Sequence, residues 1–424
     1  MKLDLVIKDC TLPGLNGRYD VGVREGVIQE IGRELSGEVE YRADGRLLVP
    51  GMGDMHVHLD SALTLGKPRF NQSGTLLEGI EIWGEYKRTM TKEDVKRRAI
   101  RAVEWMLVQG VTMIRTHADV TDHSLTGLRA LLELKEELKG FVDLQVTAFP
   151  QDGILTDKVN VELLEKAVEM GADNVGMIPH NEMTREDGVR SISIAFELAQ
   201  KYDRGVDGHV DETDDPNSRF LEVVAAETIR RRMTGKVSAG HVTAMHSYNG
   251  AYADKLIRLL RRAGVNVVVN PAVNLHLQGR YDTYPKRRGL ARVRELLAAG
   301  VNVALGNDCV MDPWYPLGRG DILQSLFLAM HGAHLTSYQD VVGALGLVTY
   351  NAAKVFGLKK YGIEKGNPAD LVLFDARHPL EVVRDQPTRM LVVKGGKVVA
   401  RGEPERYELL APERKEISFS PSFP

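Results

Sequence analysis

The chain has 424 residues, of which 43% are hydrophobic and 27% are charged. This composition is typical of a folded globular protein and excludes a disordered or collagen-like chain. The 55 basic and 58 acidic residues leave a formal net charge of -3, which gives no electrostatic reason to expect a nucleic acid or an anionic membrane as partner. The sequence has no apolar run of about 18 residues and no signal pattern at its start, so we expect no membrane span and no secretion.

The cysteine content points to the cytoplasm as the location. Cys10 and Cys309 are the two cysteines of the chain, which is too few for a disulfide framework. A reducing compartment is therefore the simplest environment for this protein.

Both ends of the chain have the pattern of short strands and turns. The segments are LVIKDC, DVGVREGVIQEIG and RLLVPG near the start, and ADLVLFDA and MLVVKGGKVVARGE near the end. The Gly-Gly pair of the last segment is typical of a β-hairpin. We predict one small β-sandwich domain built from residues 1–50 and 361–424, although two unrelated β appendages would give the same pattern.

Between these ends, over residues 51–360, short apolar runs alternate with segments of helical period. The eight candidate strands are GDMHVHL, VTMIRTH, VDLQVTAF, DNVGMIP, GVDGHVD, KVSAGHV, VNVVVNPAV and VNVALGND. One helix is predicted to begin at Thr91, with Asp94 in capping position, and to end before Gly110; another is predicted to end at Gly235. Eight strand–helix units predict an α/β fold of the (β/α)8 or TIM-barrel type. A doubly wound open sheet is the alternative, and no glycine-rich nucleotide motif supports it.

Polar side chains with metal-binding chemistry recur at the carboxyl ends of the predicted strands, where barrels carry their reactive groups. His56 and His58 end the first strand and, being two residues apart, face the same way. His209 ends the fifth strand, His241 the sixth and Asp308 the eighth. Imidazoles with a carboxylate suit a divalent ion such as zinc or iron(II). Taken singly, His241 could be a core histidine and Asp308 a helix cap, but one barrel mouth would bring all of them together.

Glu212 follows His209 by three residues and is the candidate general acid–base. A bound divalent ion lowers the pKa of its water to about 7, and hydrolysis then needs a proton carrier that is not a ligand. The alternative is a solvated acidic turn, because Asp211, Asp214 and Asp215 surround Glu212.

Long stretches of the chain resemble the amidohydrolase superfamily, and specifically its bacterial cytosine deaminase branch. The stretches are HVHLD, HVDETDD, GHVTAMHSYNGAY, NPAVNLHLQGRYDTYPKRRG, GNDCVMDPWYPLG, NQSGTLLEGIE, FPQDGIL and GADNVGMIPH. They cover almost the whole chain and are not generic barrel sequence.

The resemblance implies a role for each candidate residue. It implies one divalent ion, iron or zinc, held by four side chains: His56, His58, His209 and Asp308. It also implies Glu212 as proton shuttle, His241 as partner of the attacking hydroxide, and Gln151 as the amide that pairs with the pyrimidine. A Gln side chain offers donor and acceptor side by side, which suits that edge.

Two positions distinguish this chain within the superfamily. Binuclear relatives carry a carboxylated lysine at the end of strand 4, whereas this strand ends in Met177-Ile178-Pro179-His180, which favours one metal ion. The cytosine deaminase pattern has a second aspartate after the metal aspartate, whereas this chain has Cys309. A small uncharged thiol there is expected to weaken the grip on cytosine or to make room for a 5-substituent. Trp314 is expected to form a wall of the pocket.

The resulting prediction is metal-dependent deamination of a nucleobase, cytosine or 5-methylcytosine, to the oxo base and ammonia. Isoguanine or creatinine as substrate, ring-opening amide hydrolysis, and a non-enzymatic scaffold are the alternatives. Relatives of this kind commonly assemble, so we expect a homo-oligomer.

Overall fold

In the computed structural model, residues 2–405, 407–410 and 415–417 are described. The first segments form a four-stranded sheet in the order β3 (Val27–Gly32), β2 (Tyr19–Arg24), β1 (Leu3–Cys10) and β4 (Gly37–Arg42). Strand β1 is antiparallel to β2 and parallel to β4. Glu25 and Gly26 join β2 to β3 with positive φ angles of 52° and 77°, as a tight hairpin turn requires. The fifth strand, β5 (Leu48–Pro50), belongs to a different sheet.

The next eight strands form one parallel sheet in sequence order, which confirms the predicted barrel and excludes the doubly wound sheet. A parallel bridge between Val57 and Asp308 joins the last strand to the first. The strands are β6 (Met52–Val57), β7 (Val111–Asp119), β8 (Asp143–Phe149), β9 (Asn174–Val175), β10 (Gly205–Val210), β11 (Val237–His241), β12 (Asn266–Val269) and β13 (Val303–Leu305).

Three of the predicted strands are shorter than expected, and one of them is the eighth, of which only Val303–Leu305 form β13. The fourth strand has only the two residues of β9 before the chain becomes irregular. The seventh ends at Val269, because Pro271 occupies the first turn of a helix, where a missing N–H costs nothing.

The described residues contain thirteen α-helices. They are α1 (Leu76–Lys87), α2 (Lys92–Val108), α3 (Thr126–Glu137), α4 (Lys158–Glu169), α5 (Arg185–Lys201), α6 (Phe220–Arg230), α7 (Gly250–Ala263), α8 (Pro271–Leu277), α9 (Val293–Ala298), α10 (Ile322–Gly332), α11 (Tyr338–Gly343), α12 (Tyr350–Phe356) and α13 (Pro379–Asp385). Short 3-10 turns span Pro179–Asn181, Thr243–Ser247 and Ala344–Leu347.

The prediction was right for the ends of α2 and wrong for the end of α6. The Thr91 side chain accepts from the Asp94 N–H at the start of α2, and Gly110 has a φ of 84° just past its end, as predicted. The predicted end of α6 at Gly235 is wrong. The helix stops at Arg230, and Arg232 takes the left-handed conformation with a φ of 57°, so Gly235 lies in the turn before β11.

The carboxyl-terminal strands complete the small domain. β14 (Leu371–Phe374) pairs with β5 and with β15 (Arg389–Lys394), which pairs with β16 (Lys397–Arg401); β17 (Tyr407–Leu409) and β18 (Lys415–Ile417) form a separate pair. The predicted hairpin at Gly395 and Gly396 is present, with φ angles of 52° and 77°.

The two sheets share one apolar core, which confirms a sandwich made from both ends of the chain. Ile7 and Val21 of the first sheet belong to the same cluster as Leu371 and Leu391 of the second. Between the sheets, the Ile28 N–H donates to the Asn367 carbonyl at 2.9 Å. We propose domain boundaries at 50 and 360, since β5 ends at Pro50 and α12 ends at Phe356; part of the third segment lies outside the described residues.

The barrel is closed at its amino-terminal end by α12. Arg115, buried inside the barrel, donates from Nη2 to the Val355 carbonyl, and Gln145 Nε2 donates to the Phe356 carbonyl at 2.9 Å. The opposite end, formed by the carboxyl ends of the strands, is therefore the open face. Among the described residues, no helix combines the length and the apolar character that crossing a bilayer demands.

Candidate metal centre and adjoining pocket

Three imidazoles meet at the open end of the barrel. The Nε2 atom of His209, on β10, lies 3.2 Å from Nε2 of His56 and 3.1 Å from Nε2 of His58. Nitrogen ligands about 2.0–2.1 Å from one tetrahedral ion would be separated by ~3.3 Å. The three nitrogen atoms therefore have the spacing of ligands around a common centre.

The carboxylate of Asp308 completes the cluster. Its Oδ1 lies 3.6 Å from Nε2 of His56 and 3.4 Å from Nε2 of His58. Burial raises the pKa of Asp308 well above its usual range, and the Glu212 charge adds to this. Burial also lowers the pKa of the three histidines well below the usual value, so their rings are neutral, the form that binds metals. The donor set and its spacing fit a divalent ion.

Two glycines make room for the His56 ring. A Cβ on Gly240 would lie 2.9 Å from Nδ1 of His56, and a Cβ on Gly306 would lie 2.6 Å from Cβ of His56. Neither glycine has an unusual φ, so space rather than backbone conformation requires them. Nothing in the local sequence marks these two glycines, because the contacts join strands that are far apart in the sequence.

Glu212 and His241 lie beside the cluster. His241 Nδ1 is 3.2 Å from Glu212 Oε1 and 3.8 Å from Asp308 Oδ2. Glu212 is only 7% exposed, which excludes the solvated acidic turn, and burial raises its pKa to about 8. Asp211 is not solvated either, because its carboxylate accepts from the N–H groups of Phe220 and Leu221 at the start of α6.

Two asparagines that were not among the predicted site residues contact His241. Asn274 Nδ2 lies 2.9 Å from His241 Nδ1, and Asn270 Nδ2 lies 3.2 Å from His241 Nε2. They stand four residues apart at the start of α8 and therefore share one helix face. The Asn-Pro pair that follows the seventh strand was the available signal.

His117 was also missed. Its ring centroid lies 4.1 Å from that of His56, and its Nε2 lies 3.4 Å from Oδ2 of Asp207. With His56 and His58 it forms a second group of nitrogen atoms within 4.8 Å of one another. The sequence pattern placed it at the end of the second strand but gave no sign that it packs under the cluster.

A small pocket opens above the cluster and contains the remaining predicted residues. Gln151, Cys309 and Trp314 are 8%, 3% and 7% exposed, and all three line the pocket. Burial raises the pKa of the Cys309 thiol well above its usual value, so the side chain is uncharged. The other lining residues are His58, Leu76, His209, Glu212, His241, Val273, Leu277 and Asp308.

A closed parallel barrel with histidines and an aspartate converging at the carboxyl ends of its strands defines a metal-dependent hydrolase. The model of the Amidohydrolase family matches residues 41–400, and the chain belongs to this family.

Three similar proteins are enzymes whose names refer to amino-substituted rings. A solved structure of 5-methylcytosine deaminase from Klebsiella pneumoniae, liganded with 5-fluorocytosine, is 43% identical, has a TM-score of 0.93, and covers 96% of this chain and 100% of its own. N-isopropylammelide isopropyl amidohydrolase of Pseudomonas sp. (strain ADP) is 31% identical, covering 94% of this chain and 98% of that protein. Pterin deaminase of Rhizobium rhizogenes is 30% identical, with coverages of 92% and 90%.

Proposed function

We propose that the chain catalyses hydrolytic deamination of an amino-pyrimidine, with 5-methylcytosine and cytosine as substrates and the oxo base and ammonia as products. The observation that carries the proposal is the buried Glu212 carboxyl beside the His–Asp cluster, facing a pocket that contains Gln151 and Cys309. The 43% identity to a 5-methylcytosine deaminase supports it.

One divalent ion, iron(II) or zinc, would be held by four side chains: His56, His58, His209 and Asp308. When bound, the ion acts as a Lewis acid and lowers the pKa of a coordinated water to about 7. The choice between iron and zinc does not follow from these ligands, because both ions accept imidazole and carboxylate.

The protein's own residues carry the protons. Glu212 takes a proton from the attacking water and delivers it to the ring nitrogen next to the amine-bearing carbon. The remaining proton of the attacking oxygen then passes through Glu212 to the amine, which leaves as ammonia while the carbonyl forms. His241, next to Glu212 and Asp308, orients the attacking oxygen and stabilises the charge of the tetrahedral intermediate.

Gln151 and Cys309 set the choice of ring. The Gln151 amide offers a donor and an acceptor to the amide-like edge of a pyrimidine. Cys309 puts a small uncharged group where the cytosine deaminase pattern has a carboxylate, which leaves room for a 5-methyl group. Trp314 forms one wall of the pocket. We further propose a cytoplasmic homo-oligomer.

The test is ammonia release from cytosine and 5-methylcytosine by protein loaded with iron(II) or zinc, with Glu212→Gln as matched control. We expect release from both bases, an intact oxo ring as product, and a higher kcat/KM for 5-methylcytosine. No release from either base at full metal content would refute the proposal. A ring-opened acid as product would instead identify the protein as an amide hydrolase. Ammonia release from isoguanine and from creatinine tests the two alternative substrates. A metal content below about a tenth of an equivalent after anaerobic purification would favour a scaffold.

A further inference from the structure

Helix α1, called the roof helix below, borders the pocket with its amino end and is attached there. Leu76, its first residue, lines the pocket, and Gly79 packs so tightly against the Trp314 indole that a Cβ would lie 2.4 Å from Cδ1. Before the helix, Asn71 Nδ2 donates to the Pro313 carbonyl at 3.0 Å. This end of α1 is thus held against the loop that follows the eighth strand.

The carboxyl end of α1 is attached by Lys87, its last residue. Lys87 Nζ lies 3.1 Å from Asp119 Oδ2, 3.0 Å from Thr121 Oγ1 and 2.6 Å from Asp152 Oδ2. Trp83, one turn earlier, donates from Nε1 to Asp119 Oδ2 at 2.9 Å. The ammonium therefore joins the roof helix to the end of β7 and to the turn after β8.

Asp152 directly follows Gln151, so this contact acts on the residue proposed to hold the pyrimidine. The turn is stiff, since the Gln151 N–H donates to the Phe149 carbonyl at 3.0 Å and the Gly153 N–H to the Pro150 carbonyl at 2.9 Å. A displacement of the Asp152 carboxylate would therefore move the Gln151 backbone with it.

The environment of Lys87 argues against an ordinary surface ion pair. The side chains of Lys87 and Asp119 are only 11% and 3% exposed, whereas that of Asp152 is 46% exposed. Burial by itself would lower the pKa of Lys87, but Asp119 and Asp152 more than offset this, so the pKa rises. A desolvated, fully paired ammonium of this kind fixes geometry, whereas exposed pairs contribute little.

We propose that Lys87 is a positioning residue of the pocket: it couples the position of helix α1 to the orientation of the Gln151 amide. It contacts neither the pocket nor the metal cluster, and it acts through Asp152 and Asp119. The inference rests on the proposed function in that Gln151 is taken to contact the substrate.

The test compares Lys87→Met with wild type in the full-length, metal-loaded protein. Loss of the coupling should raise KM for 5-methylcytosine about tenfold, since hydrogen bonds to charged groups are the stronger ones, while kcat changes by less than about threefold. Asp152→Asn should raise KM similarly, and the double variant should be no worse than either single one. Lys87→Arg, which keeps the charge, should restore KM to within about threefold of wild type.

Lys135→Met is the matched control. Lys135 is a partly buried lysine on α3 that pairs with Asp173 at 2.6 Å, before β9, at the opposite end of the strands from the pocket. This variant should lose stability and leave KM unchanged. A Lys87→Met enzyme with wild-type KM and full metal content would overturn the proposal, as would an equal KM increase in Lys135→Met.

Hydrogen exchange distinguishes failure of this inference from failure of the proposed function, because it needs no substrate. In Lys87→Met, exchange should accelerate both in α1 and in residues 150–156, while Lys135→Met should leave both segments unchanged. Acceleration confined to α1 would overturn the coupling. If wild type deaminates no pyrimidine, faster exchange in both segments would still support the coupling, and only the proposed function would fail.

Discussion

The backbone N–H of Asp308 donates to the carbonyl of His56 at 2.7 Å, so the barrel closes at two residues whose side chains meet in the candidate metal centre. The His58 N–H donates in return to the Asp308 carbonyl at 2.9 Å. Asp308 takes the left-handed conformation there, with a φ of 65°. The hydrogen bonds that close the barrel and the position of the Asp308 carboxylate therefore depend on the same backbone segment. Its left-handed conformation costs free energy in a residue other than glycine.

Replacing Asp308 by Asn should deprive the protein of its metal. The amide removes the negative charge of the cluster, and we expect metal affinity to fall more than about 100-fold, beyond the loss typical of an outer-shell change. Elemental analysis after equilibrium dialysis measures this directly. His123→Asn, at an exposed histidine, is the control. Wild-type metal content in Asp308→Asn would show that Asp308 is not a ligand.

Replacing Glu212 by Gln should separate metal binding from catalysis. The amide keeps the shape of the side chain but cannot carry protons, so kcat should fall about 10²–10⁴-fold while the metal content stays at the wild-type level. Steady-state kinetics on 5-methylcytosine together with metal analysis provide the measurement. A variant that retains half of the wild-type kcat would exclude Glu212 as the proton shuttle.

Glu212 is also expected to make the stability of the metal-free protein depend on pH. Burial raises the Glu212 pKa from 4.5 to about 8, so between these values the folded state holds a proton that the unfolded chain has lost. The contribution of Glu212 to the free energy of unfolding therefore decreases as the pH rises through this window. Thermal unfolding from pH 5 to 8 should show a steeper decline in Tm for wild type than for Glu212→Gln. Parallel curves would contradict the raised pKa.

Cys309→Asp should shift substrate preference toward cytosine. The carboxylate restores the residue of the cytosine deaminase pattern and occupies the space proposed for the 5-methyl group, a change expected to be worth about 1–3 kcal/mol. The ratio of kcat/KM for the two bases should therefore change about 10- to 100-fold. Cys10→Ser, in the core of the sandwich, serves as control. An unchanged ratio would mean that Cys309 does not set specificity.

Gly240→Ala should damage the metal centre through crowding. The added methyl group would lie 2.9 Å from Nδ1 of His56, so the ring must shift from its position in the cluster. We expect at least a tenfold loss of metal affinity with the circular dichroism spectrum unchanged. Gly343→Ala, where a Cβ meets nothing within 4 Å, is the matched control. Equal metal content in both variants would refute the crowding argument.

Much of the fold and the positions of the candidate ligands could be predicted from the sequence, because both follow from local pattern. Buried parallel strands are continuous apolar runs, and the residues at their carboxyl ends share one face of a barrel. His56, His209 and Asp308 are brought together by that rule alone, although they are spread over most of the chain.

The contacts that could not be predicted join residues through packing rather than through strand position. Gly240 matters because of the volume of the His56 ring, and Asn274 because α8 begins immediately after β12. The end of α6 could not be predicted either. Arg232 takes the left-handed conformation after the helix, although glycine adopts this conformation more easily and Gly235 lies nearby. For Gly240 the decisive contact is with His56, a residue far away in the sequence.

The pairing of β5 with β14 has a consequence for synthesis on the ribosome. Leu48 and Leu373 are partners in one sheet, yet almost the entire barrel is translated between them. The first sheet therefore emerges with Ile7 and Val21 uncovered and stays so until the last strands leave the exit tunnel. A chain stalled before Leu371 would present that apolar face to its surroundings, so this protein is expected to depend on chaperones most while it is being made.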